Sequence, residues 1–280
     1  AIMVNINGEI YPNDDAFISI FNTSLISGDL IFENLIVSSN KVLFYEEHYF
    51  NLLSSMRILK IKIPMSFTPE FLEEQLLSLY IKSGFVNEKI LMRILICNNV
   101  ATNINPTSVN YYIYDAHKID YSINNFEKYT LDVFKDYFKN TGLLSNLTTN
   151  NQLIQKIGLR YCEENDFNDC VILNNSKIIS ETLNGNIFMI MNDKVLTPSL
   201  KDGSNNNVIR SKIIELVNND IEGYEIIEQP LSVFDIQKSD ELFISNINFG
   251  IQPVRKFRKK VFTDKITSLI KNKLTLLVMG

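Results

Sequence analysis

Three stretches of the chain place polar side chains where short apolar runs end, the kind of position from which folded chains usually present working groups. FNTSLISGDLIFENL, Phe21 to Leu35, carries Ser27, Gly28 and Asp29 ahead of Phe32 and Glu33. SETLNGNIF, Ser180 to Phe188, puts Glu181 at the end of a strand-like run, with an Asn184-Gly185 turn behind it. LKDGSNNNVIRSKIIEL, Leu200 to Leu216, brings Asn205, Asn206 and Asn207 to the start of a helix-like run. A carboxylate such as Glu181 can give or take a proton, whereas asparagines orient a polar ligand only through neutral hydrogen bonds. A fourth stretch, LSNLTTNNQL from Leu144 to Leu153, joins strand-like to helix-like sequence and holds nothing that ionises.

Other reactive groups are few. His48 in EEHYFNLL is expected in a partner-satisfied surface or capping role, and His117 has no nucleophile near it in sequence. Without a second histidine or cysteine at ligand spacing, no metal site is expected. Cys97, Cys162 and Cys170 fit neither a zinc motif nor a disulfide framework and read as buried free thiols. The net charge of -5 and pI near 5.2 argue against nucleic acid as a partner. The one basic run, RKFRKK from Arg255 to Lys260, reads as a solvated hairpin between Val254 and Val261. No apolar run is as long as a bilayer span, and the first residues lack the basic-then-apolar order of a secretory signal. A cytoplasmic protein without membrane contacts is the expectation.

These groups must be positioned by an α/β framework, and 280 residues suffice for two modest cores. IMVNINGEIY predicts a hairpin on Asn7-Gly8. A second hairpin is predicted from Asn34–Ser39 and Val42–Tyr45 around Asn40-Lys41. Helices follow over Glu46–Lys60 and Phe71–Ser83, from apolar spacing at Phe50, Leu53, Met56 and Leu59 and from the Pro69 and Gly84 boundaries. With strands at Lys89–Cys97 and Val109–Ala116, residues 1–117 read as a small α/β domain of antiparallel strands with helices on one side. Residues 118–126 read as a connector. Residues 127–280 read as a larger mixed domain. It has strands at Thr130–Phe134, Cys170–Leu173, Lys177–Thr182, Asn186–Met191, Lys194–Leu196, Tyr224–Glu228 and Glu241–Ser245. Its helices are expected at Gln152–Asn165, Val208–Val217 and from Thr263.

Taken in order, several segments resemble the class IV pyridoxal-phosphate enzymes, the group of branched-chain and D-amino-acid aminotransferases and aminodeoxychorismate lyases. They are NGEIYPNDDAFISIFNTSLISGDLIFENL, EEHYFNLLSSMRILKI, TTNNQLIQKIG, ISETLNGNIF, VLTPSLKDG, VIRSKIIEL, SDELFISN and GIQPV. The likeness covers nearly the whole chain, and the ETLNGNIF wording is nearest to the lyase branch. It implies a two-domain α/β (α+β) fold, a cofactor cleft between the domains and a homodimer.

The departures bear on function. The resemblance implies a Schiff-base lysine where this chain has Thr148, a phosphate-binding arginine where it has Asn51, and a glycine before a helix where it has Asn207. A tyrosine expected before Gly28-Asp29 is Ser27. A threonine hydroxyl cannot form the imine on which this chemistry depends. The neighbouring lysines, Lys139 and Lys156, would each break the otherwise gap-free match. Glu181 matches the carboxylate that pairs with the cofactor's pyridine nitrogen, and Arg93 matches a strand arginine near the substrate region.

The leading expectation is therefore an enzyme of this fold that works without pyridoxal phosphate on a small polar metabolite, as a lyase, cyclase or isomerase. Glu181 and Thr148 are its candidate catalytic residues, and Arg93, Asn151, Asn205, Asn206 and Asn207 its candidate ligand-binding residues. The alternatives are a non-catalytic dimeric binding protein, and an ordinary aminotransferase or lyase with noncovalently held cofactor.

Overall fold

The computed structural model describes residues 2–98 and 109–280, a mixed α/β chain that divides into two units. The first unit is Ala1–Ile119 together with Thr148–Asn151, and the second is Asp120–Leu147 with Gln152–Gly280. The four-residue return matters, because it assigns part of LSNLTTNNQL to the first unit.

In the first unit, β1 (Met3–Ile6) and β2 (Glu9–Pro12) form the expected hairpin, with Asn7 and Gly8 both at positive φ. A short helix, α1 (Thr23–Ser27), is capped by Asn22 and stopped by Gly28 at φ 81°. Next come β3 (Ile31–Ser38), β4 (Lys41–Val42), α2 (Tyr45–Ile58), α3 (Pro69–Lys82), β5 (Ile90–Asn98) and β6 (Val109–Lys118). The second hairpin turns on Ser39-Asn40, one residue earlier than expected: those two residues take the left-handed angles, and Tyr45 already belongs to α2. The six strands pair entirely antiparallel in the order β2-β1-β6-β5-β3-β4. Both helices lie on one face. Their Leu52, Met56, Leu72, Leu76 and Tyr80 pack on Leu35, Val37, Met92 and Ile94 of the sheet. The opposite face carries a smaller cluster of Leu30, Leu95, Cys97 and Tyr112.

The second unit contains β7 (Thr130–Lys139), α4 (Leu153–Glu164), β8 (Asp169–Asn174), β9 (Ile179–Thr182), β10 (Asn186–Met191) and β11 (Lys194–Thr197). It continues with α5 (Val208–Asp220), β12 (Glu225–Glu228), α6 (Val233–Lys238), β13 (Glu241–Asn246), β14 (Gly250–Pro253), β15 (Lys256–Phe257), β16 (Lys260–Val261) and α7 (Lys265–Met279). Two five-stranded sheets result, ordered β12-β11-β10-β13-β14 and β16-β15-β7-β8-β9. Residues of both sheets, among them Val133, Val171, Ile187, Leu242 and Ile244, share one core. On the second sheet, Ile154, Ile157 and Tyr161 of α4 pack around Phe134 and Ile172.

The segment read as a connector is not merely a spacer: Ile119, Tyr121 and Phe126 are buried. The basic run forms the β15–β16 hairpin, with Arg258 on Asp132 and Arg255 on Glu127. All three cysteines are buried free thiols.

Candidate functional site

In the second unit the candidate chemistry gathers at the end of β9. Glu181 is buried, and both of its oxygens are engaged. Oε1 accepts from the Lys139 ammonium at 2.7 Å, and Oε2 accepts from the Asn205 backbone N–H at 2.9 Å. Lys139 also donates to the Gly203 carbonyl at 2.7 Å. The lysine arrives here because β7 runs on past Phe134, slips its register, and pairs again with β8 at Lys139 and Asn174. Gly203 has φ +96°, and a Cβ there would lie 2.9 Å from the Ser180 hydroxyl, so the turn has no room for a side chain.

The asparagine loop closes on itself. Asn186 donates to the Ser204 hydroxyl and the Asn205 carbonyl, and accepts from the Asn207 side-chain amide at 2.6 Å. The same Asn207 amide donates to Asn205 Oδ1, while Asn207 Oδ1 accepts from Arg210 N and caps α5. Asn146 ties the loop down through the Leu200 and Ser204 carbonyls, and its own carbonyl accepts from Asn206 N. Arg210 at the start of α5 is buried and bound to Glu228 at 2.6 Å, so it is held structurally.

On the adjacent strand β8, Asp169 is fully enclosed. Its Oδ1 accepts from Cys170 N and Leu183 N, which fixes the turn after β9, while Oδ2 has no hydrogen-bond partner among the described residues. Burial pushes this carboxyl up to about 7, with nearby Thr182 and Asn184 pulling it back only in part. Beside it, Cys162 and Cys170 lie 3.2 Å apart, and that hydrogen bond together with burial pushes the Cys170 thiol well above its ordinary range.

In the first unit, successive residues of β3 serve opposite faces of the sheet. Glu33 faces α2, where its carboxylate accepts from Asn51 Nδ2 at 2.9 Å and pairs with His48 Nδ1 at 2.6 Å. His48 is buried, not on the surface as expected, although it is partner-satisfied. Asn34 faces the other way and accepts from Arg93 Nε at 2.7 Å; Tyr114 OH accepts from Arg93 Nη1 at 3.1 Å. The guanidinium lies over Phe32 and Tyr114, 5.2 and 5.8 Å from the ring centroids. Asn51 and Arg93 are thus served by opposite faces of one sheet.

Thr148–Asn151 forms a short strap along the start of β3. Phe32 N donates to the Thr148 carbonyl, Ile31 bridges Thr149, and Asn150 exchanges hydrogen bonds with Leu30 while reaching the Ser24 carbonyl. Asn151 lies against Gly28 and is exposed.

Of the sequence candidates, Glu181, Asn205 and Asn207 meet in one hydrogen-bonded network, with Asn206 beside them but exposed. Thr148, Asn151, Arg93 and Asn51 belong to the other unit. Sequence reasoning weighed Lys139 only as an alternative Schiff-base lysine and anticipated neither its pairing with Glu181 nor the Glu33–His48 pair. A lysine ending an alternating run is a weak signal, and its partner Glu181 is 42 residues away. Among the described residues, no group of three or more His, Cys, Asp or Glu is placed to hold a metal ion, and no helix is long and apolar enough to cross a membrane.

Comparison with known proteins gives a consistent pattern. The family described as amino-transferase class IV matches residues 30–257. A Methanocaldococcus jannaschii protein, provisionally named a branched-chain-amino-acid aminotransferase, is 23% identical over 285 residues, covering 97% of this chain and 93% of that protein. The crystal structure of the branched-chain aminotransferase from Thermoproteus uzoniensis with norvaline superposes with a TM-score of 0.86 at 17% identity, covering 99% and 95% of the two chains. That of 4-amino-4-deoxychorismate lyase from Pseudomonas aeruginosa gives 0.82 at 19% identity, covering 97% and 98%. At such identities the two structures establish the fold.

Proposed function

The chain belongs to the amino-transferase class IV family, and we propose that it is a member that works without pyridoxal phosphate, as a lyase, cyclase or isomerase acting on a small polar metabolite. The observation that carries this reading is at position 51. The residue standing where the resemblance implies a phosphate-binding arginine is a neutral amide, hydrogen-bonded to the buried Glu33. A phosphate brings close to two negative charges, and an amide already donating to a carboxylate does not balance them.

The other positions support the same conclusion. Thr148 offers a hydroxyl, which forms no imine, and its backbone is held along β3. Asn207 fills the space before α5 with a side chain that caps the helix and contacts Asn186 and Asn205. Glu181 has both oxygens engaged from within the chain. The residues present do not fit the cofactor.

Each unit, taken by itself, keeps one feature suited to a polar ligand. Arg93 is a planar cation fixed on Asn34, Tyr114 and Phe32, with two of its five N–H donors used among the described residues, and so suits a carboxylate. In the second unit, Glu181, paired with Lys139 at 2.7 Å, is the carboxylate to which we assign the acid–base role. A second reading, a non-catalytic dimeric pseudoenzyme or binding protein that keeps the fold without turnover, is favoured by the asparagine network, whose side chains bond to one another. In either case we propose a homodimer. Phe17, Ile20, Phe21 and Ile26 are each more than three-quarters exposed in the single chain, an apolar run of the kind that marks an interface.

The test is an absorbance titration of the purified protein with pyridoxal phosphate to millimolar concentration. No shifted band is expected. Saturable binding with a shifted band would restore the ordinary aminotransferase or lyase reading.

A further inference from the structure

Among the ion pairs of the described residues of the second unit, Lys139–Glu181 is nearly closed to solvent on both sides, with side chains 13% and 8% exposed. Three elements converge to build it: the end of β7, the end of β9 and the Gly203–Asn205 turn. Each is separately held. β7 regains its pairing with β8 at Lys139 itself. The Ser180 hydroxyl and the Asn174 amide both donate to the Asp202 carbonyl, fixing the residue before Gly203. Gly203 leaves no room for a Cβ, and its carbonyl accepts from the ammonium.

The ammonium therefore sits among oxygens that the fold supplies, and the carboxylate has its charge balanced and its second oxygen taken by Asn205 N. A protonated ring nitrogen approaching Glu181 would have to expel Lys139, leaving a buried ammonium with the Gly203 carbonyl and no counter-charge. We infer that Lys139 is a specificity-determining residue: a resident cation that takes, from within the chain, the place on Glu181 that a protonated ring nitrogen would need. It closes the second unit to pyridoxal phosphate independently of positions 51 and 148. This rests on the cofactor-free reading proposed above.

The experiment separates the two. Pyridoxal phosphate is titrated, by absorbance, into the wild type, into a Thr148→Lys/Asn51→Arg variant, and into that variant carrying Lys139→Met or Lys139→Gln. Glutamine keeps a neutral donor toward Glu181 and Gly203 and so protects the fold; thermal melting confirms that each variant is folded. The expected result is no binding by the wild type and weak binding by the double variant. Removal of Lys139 should then raise affinity roughly tenfold or more, as for a recovered charge-assisted hydrogen bond. Adding Glu181→Gln should abolish that gain.

Equal affinity with and without Lys139 would overturn the inference, leave the cofactor-free reading standing, and reduce the pair to a structural ion pair. Saturable binding by the wild type would overturn the reading itself. Borohydride reduction and peptide mass mapping would then locate the adduct, and an adduct on Lys139 would overturn both.

Discussion

Asp169 makes the stability of this protein depend on pH in the direction opposite to that of an ordinary paired carboxylate. In the folded chain the carboxyl is enclosed and pushed from its ordinary 3.8 up to about 7. An unfolded chain gives up this proton near pH 4, while the folded chain keeps it to about pH 7. Between those values the folded state binds more protons, so stability falls as pH rises. The contribution is fully present below pH 4 and lost by about pH 7. At ~1.4 kcal/mol per pH unit, the whole loss amounts to roughly 4 kcal/mol.

Asp169→Asn removes the titration while keeping the acceptor for Cys170 N and Leu183 N. Urea unfolding of both proteins from pH 4.5 to pH 8, followed by far-ultraviolet circular dichroism, gives their difference at each pH and cancels every other titrating group. Tyrosine emission is a second probe, since the chain has 12 tyrosines and no tryptophan. The wild type should lose ground to the variant by about 1.4 kcal/mol per pH unit up to pH 7 and then level off. A difference constant to within about 0.5 kcal/mol across the range would refute the argument, since a one-unit shift alone is worth more than that.

Two further outcomes follow from the geometry. A Cβ on Gly185 would lie 2.1 Å from the backbone carbonyl of Ser245, the residue opposite Asn186 in the β10–β13 ladder. Gly185→Ala should therefore cost about 3 kcal/mol or more in thermal melting, whereas Gly223→Ala, at positive φ but in open space, should cost about 1 kcal/mol; equal losses would mean that the close approach is not what holds the turn. Light scattering should return twice the 32.3 kDa chain mass, with Phe21→Asp shifting it toward the monomer; a monomeric wild type would remove the case for an interface at Phe17–Ile26.

What was legible in the sequence is what local chemistry decides. Asn7-Gly8 announced its hairpin because both residues tolerate left-handed angles, and α3 was bracketed by Pro69 and Gly84, which start and stop helices for opposite reasons. Two short elements were not legible. β14 is only four residues long, with Gly250 and Pro253 at its ends, and α6 spans too little to show a period. For the candidate site, the absence of an amine at Thr148 and of a guanidinium at Asn51 could be read directly. The partners that side chains find across the fold could not. Glu33 meets Asn51 and His48 only when β3 packs on α2, and Lys139 meets Glu181 only because β7 slips register and runs five residues beyond Phe134, where its alternation no longer marked a strand.

The Thr148–Asn151 strap bears on how the chain is made. Leu30 and Asn150 are hydrogen-bonded at a sequence separation of 120, so the start of β3 cannot be completed until that much more chain has been synthesised. At about 5–20 residues per second, the first unit emerges from the ribosome with this edge open for roughly ten seconds, and by then the opening strand of the second unit, β7, has already been translated. The gene accordingly has no single point at which it can be cut into two self-sufficient halves: a fragment starting at Asp120 would carry the strap away from Ser24, Leu30 and Phe32, and one ending at Ile119 would lack it.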